Sequence, residues 1–262
     1  MTTSAIEKSV VFLDIAGLLI GFNTRFPEYV KERCGKYLAA QRRVALEGND
    51  ALYLEATEED VRKANVNNVG EMEAECYAMT IPLSEQCPVL SRMMTHGVAI
   101  ECDGKAFMFT AASGVGKSTH AFLWQKYLGE DRVRIVNGDK PILWFRSDGE
   151  IRACGSPWSG KERLDANVQL PLRGICLLTR LENAAGFGTT VKAPYMTRAT
   201  REEALDFLMH QIFIPRNPQG KILTLRLLET LYEKVPVYNL YITMSPECVK
   251  VSSECLLNVT AI

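Results

Sequence analysis

The stretch FTAASGVGKSTHAFLW, Phe109 to Trp124, carries the residue types that hold phosphate. A phosphate-binding loop wants Gly, four residues, then Gly-Lys-Ser/Thr. Gly116, Lys117 and Ser118 complete that spacing, and Ala111 stands at its first position. Gly114 and Gly116 let the backbone take positive φ and approach phosphate closely. Successive N–H groups from Ser113 through Gly114, Val115 and Gly116 to Thr119 then form an anion nest at a helix N-terminus. Lys117 is positioned to bridge the β- and γ-phosphates, and the Ser118 hydroxyl to reach Mg²⁺. Thr119 adds a second hydroxyl near the α-phosphate. Ala111 is tolerated at the strand exit when its φ is negative. The competing reading is a glycine-rich strand-to-helix turn with an incidental Lys-Ser pair.

Other candidates lie outside the loop. Asp139 ends RIVNGD, about twenty residues further on. A carboxylate there can hold Mg²⁺ or take the proton of an attacking hydroxyl. The alternative is an Asn-Gly turn whose aspartate faces solvent. His96 opens the strand before the loop; a lone histidine also reads as a hydrogen-bonded core residue. His120 leaves the loop on a different helix face and is expected to be structural. GSPWSGK, Gly155 to Lys161, is either a tight turn with Trp158 in the core or a substrate-facing loop with Lys161 as its cation. Lys140 and Arg216 are either stabilisers of transferring charge or surface cations.

These residues need elements to position them. HGVAIECDGKAFMFTA reads as a hairpin turning at Asp103-Gly104, its second strand feeding the loop. STHAFLWQKYL follows as a helix, with Ala121, Leu123, Trp124, Tyr127 and Leu128 on one broad face. VRIV is a strand, PILWFRSDGEIRACGS a hairpin at Asp148-Gly149, and RGICLLTRL a buried strand. Thr200 and Glu203 form a capping box for EEALDFLMHQIF. A second helix, QGKILTLRLLETLYEKV, the strand PVYNLYIT and a closing helix SPECVKVSSECLLNV complete this part. Upstream, AIEKSVVFLDIAGLLIGF reads as two strands broken at Ala16-Gly17. PEYVKERCGKYLAA reads as a helix with Pro27 in its first turn, and ALYLEA as a strand. TEED is a helix cap; EMEAECYAM and LSEQCPVLSRMM are helical, the second interrupted at Pro88. We therefore expect an α/β chain, mixed and hairpin-rich. An N-terminal α+β unit would span 1–92 and a phosphate-loop domain 93–262. The hairpins depart from the βαβ rhythm of an ordinary P-loop NTPase.

Composition limits the function classes. The 262 residues carry a net charge of -1, with 47% hydrophobic and 23% charged residues. That balance argues against a nucleic-acid binder or an anionic-membrane binder. VVFLDIAGLLIGF is too short for a bilayer span and contains Asp14, and MTTSAIEKSV lacks a signal-peptide pattern. A cytoplasmic protein is expected. The eight cysteines show no C-x-x-C pair and no zinc-ligand spacing, which favours buried free thiols.

THGVAIECDGKAFMFTAASGVGKST resembles the segment around the phosphate loop of the HPr kinase/phosphorylase family. The likeness is close over Met94 to Val136 and looser to about Thr243. STHAFLW, NGDKP and GSPWSGK resemble, in order, three motifs of bacterial HPr-kinase-like proteins. The resemblance implies a phosphoenolpyruvate carboxykinase-like, HPr kinase C-terminal-like nucleotide-binding core. It implies ATP and Mg²⁺ as cofactors, His96 near the transferred phosphate, and a seryl hydroxyl of a protein or peptide as acceptor. It also implies a homo-oligomer. The family has two adjacent acids where this chain reads Gly138-Asp139. That departure keeps open a nucleotide-binding regulator or pseudokinase, and a small hydroxyl substrate such as free serine stays open beside it. A generic P-loop ATPase is disfavoured, because ICLLTRL ends in Thr and Arg where a Mg²⁺-binding acid belongs.

Overall fold

The computed structural model describes residues 8–65, 68–181, 193–243 and 245–258. Strands β1 (Ser9–Ile15) and β2 (Leu18–Thr24) form the first hairpin, with Ala16 and Gly17 at φ 51 and 75 in its turn. Strand β3 (Leu52–Leu54) adds parallel to β2. The same stretch holds helices α1 (Pro27–Arg33), α2 (Gln41–Glu47), α3 (Glu58–Ala64), α4 (Glu71–Ala78) and α5 (Thr80–Gln86), with side chains of α1, α4 and α5 in the core of this small sheet. Thr57 and Asp60 cap α3 reciprocally, as the TEED pattern predicts.

A nine-stranded mixed sheet holds the rest. It contains β4 (Arg92–Met94), β5 (Val98–Cys102), β6 (Lys105–Thr110), β7 (Val133–Asn137), β8 (Ile142–Phe145) and β9 (Ile151–Cys154). Strands β10 (Gln169–Arg180), β11 (Tyr195–Arg198) and β12 (Val237–Ile242) complete it. The order is β4-β8-β9-β10-β6-β5-β7, with β12 pairing β10 and β11 pairing β12. Helix α6 (Lys117–Leu128) follows the glycine-rich loop. Helices α7 (Arg201–Met209), α8 (Pro218–Lys234) and α9 (Pro246–Leu257) follow later, the Thr200–Glu203 capping box starting α7.

Four pairings decide where the candidate residues sit. Strands β10 and β6 are parallel, as are β10 and β12, while β5 runs antiparallel to both β6 and β7. Thus β6, β7, β10 and β12 all end at one edge of the sheet, and β5 begins there. The hairpins at Asp103-Gly104 and Asp148-Gly149 form as read from sequence.

Three expectations change. LSEQCPVLSRMM is not helical throughout: α5 stops at Gln86, and Arg92–Met94 pairs with β8. Pro88 lacks the N–H a helix needs, and Ser91 turns the chain at φ 57. PEYVKERCGKYLAA ends as an α-helix at Arg33 and passes into a short 3₁₀ turn, Gly35–Tyr37. The buried face of α6 is narrower than its apolar spacing implies. It buries His120, Ala121 and Trp124, while Tyr127 is exposed.

Apolar clusters fill both faces of the large sheet. Phe107, Phe109, Ala121 and Trp124 form part of one, beneath α6. Another joins Phe22, Met79 and Leu83 to Ile142, Cys154 and Trp158, so one core crosses the 92/93 boundary. All eight cysteines are free thiols and seven are buried. Among the described residues no helix is long and apolar enough to cross a membrane.

Candidate phosphate-transfer site

Strand β6 delivers the loop and α6 receives it. Ala111 is fully buried at the strand exit. Gly114 and Gly116 take φ 78 and 118, the left-handed side that lets a nest of N–H groups face one point. Gly116 is the N-cap of α6, and no side chain caps that helix end. Its first N–H groups therefore point outward at the positive end of a 12-residue helix. Ser113, Gly114 and Thr119 are exposed, and Val115, Lys117 and Ser118 half-buried.

Lys117 arches across the loop. Its Nζ donates to Ala111 O at 2.9 Å and Ala112 O at 3.4 Å. Burial holds its pKa below the usual lysine value, opposed by the nearby Asp139 charge. The opposite flank is held by Arg180, at the end of β10. Its Nε donates to Val115 O and its Nη2 to Gly114 O, each at 3.0 Å. The arginine that disfavours a generic ATPase thus braces the loop through its carbonyls.

Asp139 follows β7 at the same sheet edge. Its turn is built by Asn137, fully buried. Asn137 Oδ1 accepts the backbone N–H of Asp139 (2.9 Å) and of Lys140 (2.6 Å), and Nδ2 donates to Ser156 O at 2.9 Å. Asp139 Oδ2 accepts from Tyr77 Oη at 2.8 Å and Lys140 Nζ at 2.5 Å. Its Oδ1 faces His96 Nε2 at 3.4 Å. His96 precedes β5, and Gly97 N–H donates to Asp139 O at 2.9 Å, so backbone as well as side chain joins the two. Burial, then the Lys117 charge, lowers the His96 pKa below its ordinary value. The imidazole is therefore neutral at pH 7. Desolvation, then the Asp139 charge, raises the Tyr77 pKa, so the phenol stays protonated and donates.

The structure thus brings together Lys117, Lys140, Asp139 and His96. It does not bring in Arg216, which the sequence analysis offers as a substrate contact. That guanidinium lies 3.1 Å from Asp60 and 3.8 Å from Glu85, tying the segment before α8 to α3 and α5. Trp158, offered likewise, is 3% exposed and donates its indole N–H to Cys76 O at 2.8 Å; its ring belongs to the core. Lys161 is exposed, next to Gly160, where an added Cβ would lie 3.3 Å from Asp139 Cβ. His120 is buried with Ser252 Oγ at 3.1 Å and receives the Trp124 indole N–H at 3.2 Å, the structural role expected.

Gly138 gains a physical explanation. A Cβ there would stand 2.8 Å from the backbone oxygen of Ser159. The 155–160 segment closes over this turn, so a second acid at 138 requires the backbone to move. Sequence reading missed Tyr77 and Arg180. Tyr77 carries no local signal, since its role exists only where α4 packs beside the turn. Arg180 carries none either, since its role exists only because β10 lies beside β6.

The site can accept an anion and a cation. Glycine φ values, an uncapped helix start and Lys117 suit a polyphosphate. Ser118 and Asp139 supply oxygen donors of the kind Mg²⁺ takes beside phosphate. Among the described residues no cluster of three His, Cys, Asp or Glu side chains forms a metal cage.

No protein-family model matches the chain. No curated protein matches it by sequence. Among solved structures it is similar to the Hpr(Ser) kinase/phosphatase from Coxiella burnetii, with a TM-score of 0.29 and 13% identity. That match covers 54% of this chain and 91% of the other.

Proposed function

We propose that this chain is a kinase that binds ATP with Mg²⁺ and transfers the γ-phosphate to a hydroxyl, a serine of a protein or peptide. The observation that carries the reading is convergence. A glycine-rich nest with Lys117, the carboxylate of Asp139 and the neutral imidazole of His96 meet at one sheet edge, with His96 3.4 Å from Asp139. Phosphoryl transfer asks for little else, because its catalysis is mainly positioning and charge neutralisation. The loop N–H groups and Lys117 bind and orient the polyphosphate. Ser118 and Asp139 would hold Mg²⁺, which would supply charge neutralisation. Asp139 Oδ1, with His96 beside it, accepts the proton of the incoming hydroxyl. Lys140 offsets negative charge at the same place. The resemblance of STHAFLW, NGDKP and GSPWSGK to HPr-kinase-like motifs supports a seryl acceptor.

A second reading has its own observation. Asp139 Oδ2 is already engaged by Tyr77 and Lys140, and Gly138 supplies no second carboxylate. In that reading the chain binds nucleotide as a regulator and transfers nothing. Calorimetry with Mg-ATP and transfer of radiolabelled phosphate to serine peptides and to free serine separate the two. Binding that Lys117→Ala abolishes in a folded protein supports the nucleotide site. Transfer lost in Asp139→Asn supports the kinase, whereas binding with no transfer to any acceptor favours the regulator.

A further inference from the structure

A polar cavity lies beside the segment that runs on from Gly160 to Asp165. It has a volume of about 280 Å³ and lies between α1 and residues 163–165. Its lining holds three cations, Arg33, Lys36 and Arg163, against two carboxylates, Glu32 and Asp165. Tyr29 completes the wall, and Glu73 stands just beyond it.

Of the carboxylates next to this cavity, Asp165 and Glu73 are engaged and Glu32 is exposed. Asp165, 5% exposed at its side chain, accepts from Ser159 Oγ at 2.7 Å and lies 3.3 Å from Lys36 Nζ. Glu73 accepts from Tyr29 Oη. Arg33 is different. Its side chain is only 5% exposed, yet among the described residues its Nε has no hydrogen-bond partner. Glu73 is 3.9 Å away, outside hydrogen-bond distance, and is shared with Arg163 at 3.7 Å. A buried guanidinium donor without an acceptor costs free energy, and guanidinium groups are shaped to grip planar or tetrahedral oxyanions. Lys36 and Arg163 are 58% and 60% exposed, so they line the way in from solvent.

We propose that this cavity binds a small oxyanion, a carboxylate or phosphate, with Arg33 as its buried anchor and Arg163 and Lys36 as its mouth. The site is separate from the nucleotide loop: it is built by α1, the turn after it and residues 163–165. Its occupant bridges the N-terminal sheet unit to the segment that carries Gly160 beside Asp139.

The test uses the full chain in the Lys117→Ala background, which removes the phosphate loop as a competing anion site. Thermal unfolding and calorimetry are run with inorganic phosphate, malonate and chloride at matched ionic strength. Saturable binding of phosphate or malonate, with a rise in midpoint that chloride does not give, is expected. Whichever of the two binds more tightly identifies the ligand as phosphate- or carboxylate-bearing. Arg33→Gln is expected to weaken that binding about tenfold or more, the loss of a charge-assisted contact. Arg163→Gln, at an exposed position that leaves the core untouched, should weaken it too. No saturable anion binding overturns the proposal, as does binding equally tight in Arg163→Gln. Neither outcome bears on ATP binding by the wild type, which is measured separately.

Discussion

Asp139 is approached from three parts of the chain: Tyr77 on α4 and Lys140 beside it donate to Oδ2, and His96 before β5 lies 3.4 Å from Oδ1. Because Oδ2 is held by two of them, Oδ1 is the oxygen free to meet a hydroxyl. Asp139→Asn keeps the shape and removes both the proton acceptor and the charge that would hold Mg²⁺, so transfer is expected to fall by ~10²–10⁴ and Mg-ATP affinity to fall with it. Single-turnover phosphate transfer checks this; unchanged transfer removes Asp139 from the chemistry. His120 gives a second residue-scale prediction. Burial pushes its pKa down to about 4, so it is neutral in the folded protein. Its unfolded value is near 6.5. Below that value the unfolded chain takes up the proton and the folded one does not. Stability is therefore lost as pH falls from about 6.5 to about 4, with a slope of ~1.4 kcal/mol per pH unit from this residue. Denaturant titrations of wild type and His120→Asn across that window should show the slopes differing by that order. Parallel curves count against a neutral buried imidazole.

The elements were legible where a local signal carried them. Hairpin turns at Asp103-Gly104 and Asp148-Gly149, the caps at Thr57 and Thr200, and the strand-loop-helix at 105–128 could all be read from a few residues. Arg92–Met94 was not, because its strand character comes from pairing with β8 and not from its own composition. The loop and Asp139 were legible as candidates, since spacing alone marks them. The bracing by Arg180 was not, because it depends on β10 lying parallel beside β6. That bracing yields a prediction. Arg180 holds the carbonyls of Gly114 and Val115, which turns their neighbouring N–H groups toward the nest. Arg180→Met should leave the strand in place and weaken Mg-ATP binding roughly tenfold, the worth of hydrogen bonds to a charged group. Calorimetry decides, and full affinity in the variant would mean the loop holds its shape without the brace.

At the scale of the molecule, the N-terminal unit and the large sheet share a core. Trp158 sits at that junction. Its ring belongs to the same buried cluster as Met79, Leu83 and Cys154, and its N–H meets Cys76 O on α4, next to the Tyr77 that reaches Asp139. The two stretches on either side of residue 92 are thus tied by burial, by the Arg216 ion pairs with Asp60 and Glu85, and by the site itself. Truncating Trp158 opens a cavity in a shared interior and leaves Cys76 O without its donor. Trp158→Ala is expected to cost about 3–5 kcal/mol. Because the core is shared, that loss should appear on both sides of the junction. In native-state hydrogen exchange, amides of β1 and β2 and amides of β6 and β10 should lose protection together, as parts of one cooperative unit. If β1 and β2 alone become exposed while β6 keeps its protection, the N-terminal unit is a separately folding attachment. Tyr77 would then be a removable partner of Asp139, and transfer should persist in a chain beginning at residue 93. If protection falls throughout, that shortened chain should fail to hold Asp139 in place, and activity and fold should be lost at the same denaturant concentration.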